Sequence, residues 1–146
     1  MPDLETKSYD ARDVIVTWGE LELEGPGEDT VVTIAYDEDA VTKTTGAQGF
    51  VVATINAAQG GMITWVASQA SPTNDRLSAI AALQRRRGVG LQKRPILVKH
   101  VNGTTLATGT AWIKKVPDAQ FAKAHQTREW VFDVDRLEAF IGGSTR

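Results

Sequence analysis

Along most of this 146-residue chain the apolar residues recur at every second position. That spacing sends side chains alternately to the two faces of a strand. In ARDVIVTWGELELE, residues 11–24, Val14, Val16 and Trp18 share one face, and Gly19 then slips the phase so that Leu21 and Leu23 continue the apolar set. A glycine at such a slip predicts a bulge or bend. GPGED at 25–29 marks a turn, and TVVTIAY at 30–36 predicts a strand alternating Val32, Ile34 and Tyr36. The polar, glycine-punctuated stretch 37–49 predicts an extended loop or hairpin arm. FVVATINAA and MITWVAS follow as two strands, with QGG between them read as a hairpin turn.

One segment, 71–87, has the helical period instead. Ser71 is placed to cap it, Pro72 stands at its first position, and Gly88 supplies its stop. Leu77, Ile80, Ala81 and Gln84 form its stripe, with Leu83 at the edge. So narrow and alanine-rich a stripe predicts a helix resting on a sheet edge or flank. Arg85, Arg86 and Arg87 stand at its C-terminal end, where cations favour the macrodipole. After a basic loop, PILVKHV and TTLATGTAWIKKV meet at Asn102-Gly103, a strong hairpin signal. TREWVFDVD at 127–135 alternates Trp130, Phe132 and Val134, and RLEAFIGGSTR predicts a short helical turn.

About eight short strands with one helix predict a mainly β fold, a β-sandwich or incomplete barrel with one flanking α-helix. A single domain spans 1–146, with residues 1–9 as an N-terminal arm; this length buries a core without staples. The chain has no cysteine, which removes disulfides and thiolate chemistry. No apolar run approaches the ~20 residues that cross a bilayer, and MPDLETKSYD is too polar for a signal peptide. The expected place of synthesis is the cytoplasm, with no membrane partner.

Charge is segregated along the chain. Residues 1–75 hold 13 acids and 3 bases, 76–117 hold 9 bases and no acid, and 118–146 hold 5 acids and 4 bases. Three arrangements produce such a pattern: an interleaved surface, a nucleic-acid footprint, or an acidic face of one copy meeting the basic face of the next.

The residues point away from catalysis. His100 and His125 stand far apart in sequence, and Asp37–Glu38–Asp39 lacks the spacing and glycine of a calcium loop. The GVG at 88–90 follows a helix, whereas phosphate-binding glycines open one. Glu20, Glu22 and Glu24 alternate on one strand face, where like charges repel and a wet edge or a basic partner explains them. Trp112 lies in the basic segment without the aromatic–basic interleaving of a nucleic-acid platform. No catalytic residue, cofactor or metal is assigned.

Taken in order, SYDARDVIVTW, GPG, TKTTGAQGFVVATINAAQGGMITWVA, ASPTNDRLSAI, and AWIKKVPDAQFAK with REWVFDV closely resemble the tail tube proteins of contractile-tailed, myovirus-type bacteriophages. The resemblance runs from about Tyr9 to Gly143. It implies a subunit whose hexameric rings stack into a hollow tube within a contractile sheath, conducting DNA during ejection. The implied partners are further copies of itself, the tail sheath protein, the tape measure protein, and DNA in passage without specific binding. The implied location is the virion tail, after assembly in the host cytoplasm. A tailocin or type VI-like secretion tube is the alternative within that architecture; a monomeric ligand-binding β-barrel and a nucleic-acid-binding module are alternatives outside it.

Polar residues on both faces of a strand suit a channel wall with neighbour-completed edges. Thr42, Thr44, Gln48, Thr54 and Asn56 are therefore the expected lumen residues. A non-adhesive channel is neutral to acidic, so the bases of 76–117 are expected to face outward or toward the next subunit. Arg85, Arg86 and Arg87 against Asp37, Glu38 and Asp39 of a neighbour is the expected intersubunit contact, with the helix sealing the outer flank of the sheet.

Overall fold

The computed structural model describes residues 13–24 and 32–143. The arm expected at 1–9 and the GPGED turn lie outside the described residues. In chain order the elements are β1 (Val14–Trp18), β2 (Leu21–Glu22), β3 (Val32–Tyr36), β4 (Val41–Thr45), β5 (Val51–Ile55) and β6 (Gly61–Ser68). Then come α1 (Thr73–Gln84), β7 (Arg94–His100), β8 (Leu106–Lys115), β9 (Thr127–Val134) and β10 (Glu138–Phe140). One antiparallel sheet runs β2-β1-β7-β8-β9-β6-β3, with β10 also on β8; β4 and β5 pair only with each other.

Alternation decides the sheet's inner face. Val16 and Trp18, Ile63 and Trp65, Ile96 and Val98, Ala111 and Ile113, and Trp130, Phe132 and Val134 are all buried in one cluster. Two buried indoles find acceptors, as burial of a polar N–H requires. The Trp18 indole donates to the Ala111 carbonyl (2.9 Å) and the Trp130 indole to Asn74 Oδ1 (2.8 Å). Trp18 also meets Phe132 with ring centroids 5.2 Å apart and planes tilted by 58°.

The single helix flanks the sheet as expected and buries its apolar stripe against this core. Leu77 and Ala81 join the buried cluster, and Gln84 donates to the Ile113 carbonyl (3.0 Å) on β8. Thr73, Leu77 and Ala81 are its buried residues, a narrow stripe as the sequence predicts. The helix runs from Thr73, with Pro72 already helical before it; Ser71 accepts the Thr73 N–H (3.3 Å), as a capping hydroxyl does, and also donates to the Glu24 carbonyl (2.5 Å), while Thr73 Oγ1 accepts from Glu24 N–H (3.2 Å). These two buried hydroxyls tie the start of α1 to the chain beyond β2. At the other end Arg85 is already the cap, and Gly88, with φ 86°, turns the next four residues where Val89 N–H returns to the Arg86 carbonyl.

Three further expectations are corrected, and one alternative is decided. Of the bulge or bend expected at Gly19 the chain takes the bend, a tight turn: with φ 64° at the first of two central residues, it joins Trp18 to Leu21 in the pattern a type II′ hairpin requires. There is no β5–β6 hairpin at QGG. β6 instead pairs with β9 and β3, whose alternating apolar residues match its own, and β5 turns back on β4. At Asn102-Gly103 the hairpin exists but neither residue has positive φ, and the chain takes a longer loop closed by His100 N–H to the Thr105 carbonyl (3.1 Å). Finally, Glu138–Phe140 is strand β10, not helix, because Asp135–Leu137 bends the chain back onto β8.

Candidate assembly interface

Residues 37–60 leave the sheet between β3 and β6 and return, with Asp37 N–H bonded to the Gly60 carbonyl (3.1 Å) at the base. The excursion is a hairpin arm built from β4 and β5, in register from Val41↔Ile55 to Thr45↔Val51. Its tip closes through Gly46 N–H to the Phe50 carbonyl (2.8 Å). Every residue of both strands is exposed, including Val51, Val52 and Ile55 (81 %), with Phe50 at the tip 74 % exposed. A lone two-stranded hairpin is marginal in water, and exposed apolar patches mark contact surfaces.

Register sorts the expected lumen residues. Thr42 faces Thr54 across the strands and Thr44 faces Val52, so the three threonines share one face of the arm. Val41, Lys43, Thr45, Val51, Ala53 and Ile55 form the opposite face. Gln48 lies in the tip turn. Asn56 lies at the root, where it donates to Glu38 Oε2 (2.5 Å) and its backbone N–H bonds the Ala40 carbonyl (2.8 Å).

Beside this root opens a groove of about 770 Å³. Tyr36, Val41, Ile55, Leu106, Leu137 and Phe140 supply its apolar walls, and Glu38 and Glu138 also line it. Tyr36 Oη accepts the Ala139 N–H (3.1 Å), which shields the free edge of β10.

Arg85, Arg86 and Arg87 follow the helix and are exposed, as are Asp37, Glu38 and Asp39 ahead of the arm. The two clusters do not pair within one subunit; ion pairs among the described residues include Lys114–Asp133 (3.9 Å) and Lys115–Asp118 (4.0 Å). Arg94, another base of the 76–117 segment, lies over the Trp18 ring at 5.2 Å. The exposed Phe50, Val51, Val52, Phe140 and Ile141 were not singled out from the sequence. The signal was there in Phe50-Val51-Val52, three successive apolar residues that cannot all face one side of a strand.

Comparison with known proteins agrees with this architecture. A structural protein of Pseudomonas phage KPP10, ORF10, is 26% identical over 125 residues, covering 85% of this chain and 72% of that protein. The sheath/tube terminator of an extracellular contractile injection system, PVC, shares the fold with a TM-score of 0.64 at 16% identity, over 95% of this chain and all of the other. The tube-terminating cap of the anti-feeding prophage superposes with a TM-score of 0.63 at 12% identity, over 95% of each chain. The family described as Bacteriophage PhiTE tail tube protein matches residues 11–142, and with nearly the whole domain so matched, this chain belongs to that phage tail tube family and has a structural role.

Proposed function

We propose that six copies of this chain close into a ring and that rings stack into the hollow tube of a contractile tail. The observation that carries this reading is the arm. Ten strand residues and Phe50 at the tip project from the sheet with no cover among the described residues, which a soluble monomer has no use for. In a stack the arm is covered by a neighbouring copy. Its threonine face, Thr42, Thr44 and Thr54, together with Gln48 and Asn56, contributes neutral hydrogen-bonding surface to the channel. Such a wall lets DNA pass without gripping its phosphates.

The tail sheath protein surrounds the tube, the tape measure protein occupies the channel before DNA does, and the virion tail is the location. Arg85, Arg86 and Arg87 meet Asp37, Glu38 and Asp39 of a neighbour, a contact that steers association and weakens with salt. A contractile injection particle, tailocin-like rather than virion-borne, is the second reading, favoured by the likeness to the PVC and anti-feeding prophage chains.

Negative-stain microscopy with light scattering on the purified chain tests the proposal. Annuli or hollow fibres of uniform width are the expected result. One small species persisting at high concentration in dilute buffer overturns it.

A further inference from the structure

We infer that the groove at the root of the arm is a socket, and that its occupant is the connector between α1 and β7 of a second copy. This deepens the self-assembly reading and rests on it. The connector is a knob with a basic rim. Gly88 (φ 86°) and Gly90 (φ 84°) fold residues 85–93 into successive turns, with Val89 N–H on the Arg86 carbonyl (3.2 Å) and Lys93 N–H on the Leu91 carbonyl (3.2 Å). Between Arg85, Arg86 and Arg87 on one side and Lys93 on the other, Val89 and Leu91 stand 43 % and 45 % exposed.

The socket has the opposite character. Its walls are largely apolar, Glu38 and Glu138 line it, no lysine or arginine among the described residues does, and Asp37 and Asp39 adjoin it along the chain. No connector residue lines the groove of its own subunit. Apolar knob meets apolar socket while basic rim meets acidic rim, so burial and charge select the same pairing. Each copy carries one knob and one socket on different surfaces. The contact is therefore heterologous and repeats from copy to copy without exhausting either partner.

Two other exposed aromatics fit less well. Phe50 has no cation among the tip residues Gly46–Gly49, and Phe121 already covers the Arg128 guanidinium at 5.6 Å.

Complementary charge reversal tests the pairing. R85E/R86E/R87E makes the knob acidic, and D37K/E38K/D39K makes the socket rim basic. Each variant alone is expected to lose more than about tenfold of its sedimentable assembly, with circular dichroism unchanged. Mixed in equal amounts the two assemble again, because the acidic knob of one variant then meets the basic socket of the other, and the unaltered basic knob meets the unaltered acidic socket. Variants that assemble like the parent overturn the socket and leave self-assembly standing. Loss without rescue on mixing also overturns it, and a parent chain that never assembles removes the underlying reading itself.

The absence of native cysteine permits a second arm. Oxidised L91C/I55C is expected to give a ladder of linked chains on a non-reducing gel. A monomer band alone, a ladder from F121C/I55C in its place, or saturable binding of a fluorescent fatty acid in the groove without any ladder each overturns the assignment.

Discussion

Ile63 and Ile55 are both strand residues of this chain, yet one is 0 % exposed and the other 81 %. The difference lies in what stands opposite. Ile63 belongs to β6, held on one side by β9 and on the other by β3, beneath a shared aromatic core. Ile55 belongs to an arm whose two strands have only each other. Residues of one chemical class thus meet two fates: in the sheet they are packed into the core, and in the arm they stand exposed. The proposed assembly makes stability and association separable, and substitutions test that separation.

Trp65→Ala should have the largest effect on the fold, a loss of about 3–5 kcal/mol, since it empties the centre of a closely packed cluster. Urea denaturation followed by tryptophan fluorescence measures it. Thr73→Val should cost about 1–3 kcal/mol by the same assay, because the Glu24 N–H then loses its acceptor where the chain meets α1. Gly19→Ala should cost about 1 kcal/mol in thermal unfolding, from the strain of an alanine at φ 64°. V51S/I55S should move subunit stability by less than about 0.5 kcal/mol, yet abolish rings or fibres under the microscope. A large stability loss in that last variant would erase the distinction between sheet and arm.

The sheet was the more legible of the two regions. Trp130, Phe132 and Val134 alternate because one face of β9 is buried, and the same rule found β3, β6, β7 and β8. What alternation leaves open is partnership. The FVVATI run reads as a strand whichever neighbour it takes, and only the tertiary competition between β4, β9 and β3 assigns β5 to β4 and β6 to the sheet. Gly19 was ambiguous for a different reason, since a slip in phase is produced equally by a bulge and by a two-residue turn. Ser71 was legible as a cap and accepts the Thr73 N–H, but its second partner, the Glu24 carbonyl, lies 47 positions away in sequence. The assembly surface was half legible: charge segregation pointed to the clusters, whereas apolar side chains reserved for another copy look in sequence like core.

The strand order also sets a timetable for biosynthesis. Both margins of the sheet, β1 with β2 and β3, are made first, while the strands they need, β7 and β6, and the middle of the sheet emerge later. No nascent fragment lacking β9 can join the two halves, so the sheet closes only once residues 127–134 have emerged, and closure through such distant pairings is slow. A chain stopped short of β9 therefore holds two unjoined half-sheets, and the folded subunit waits on that one strand.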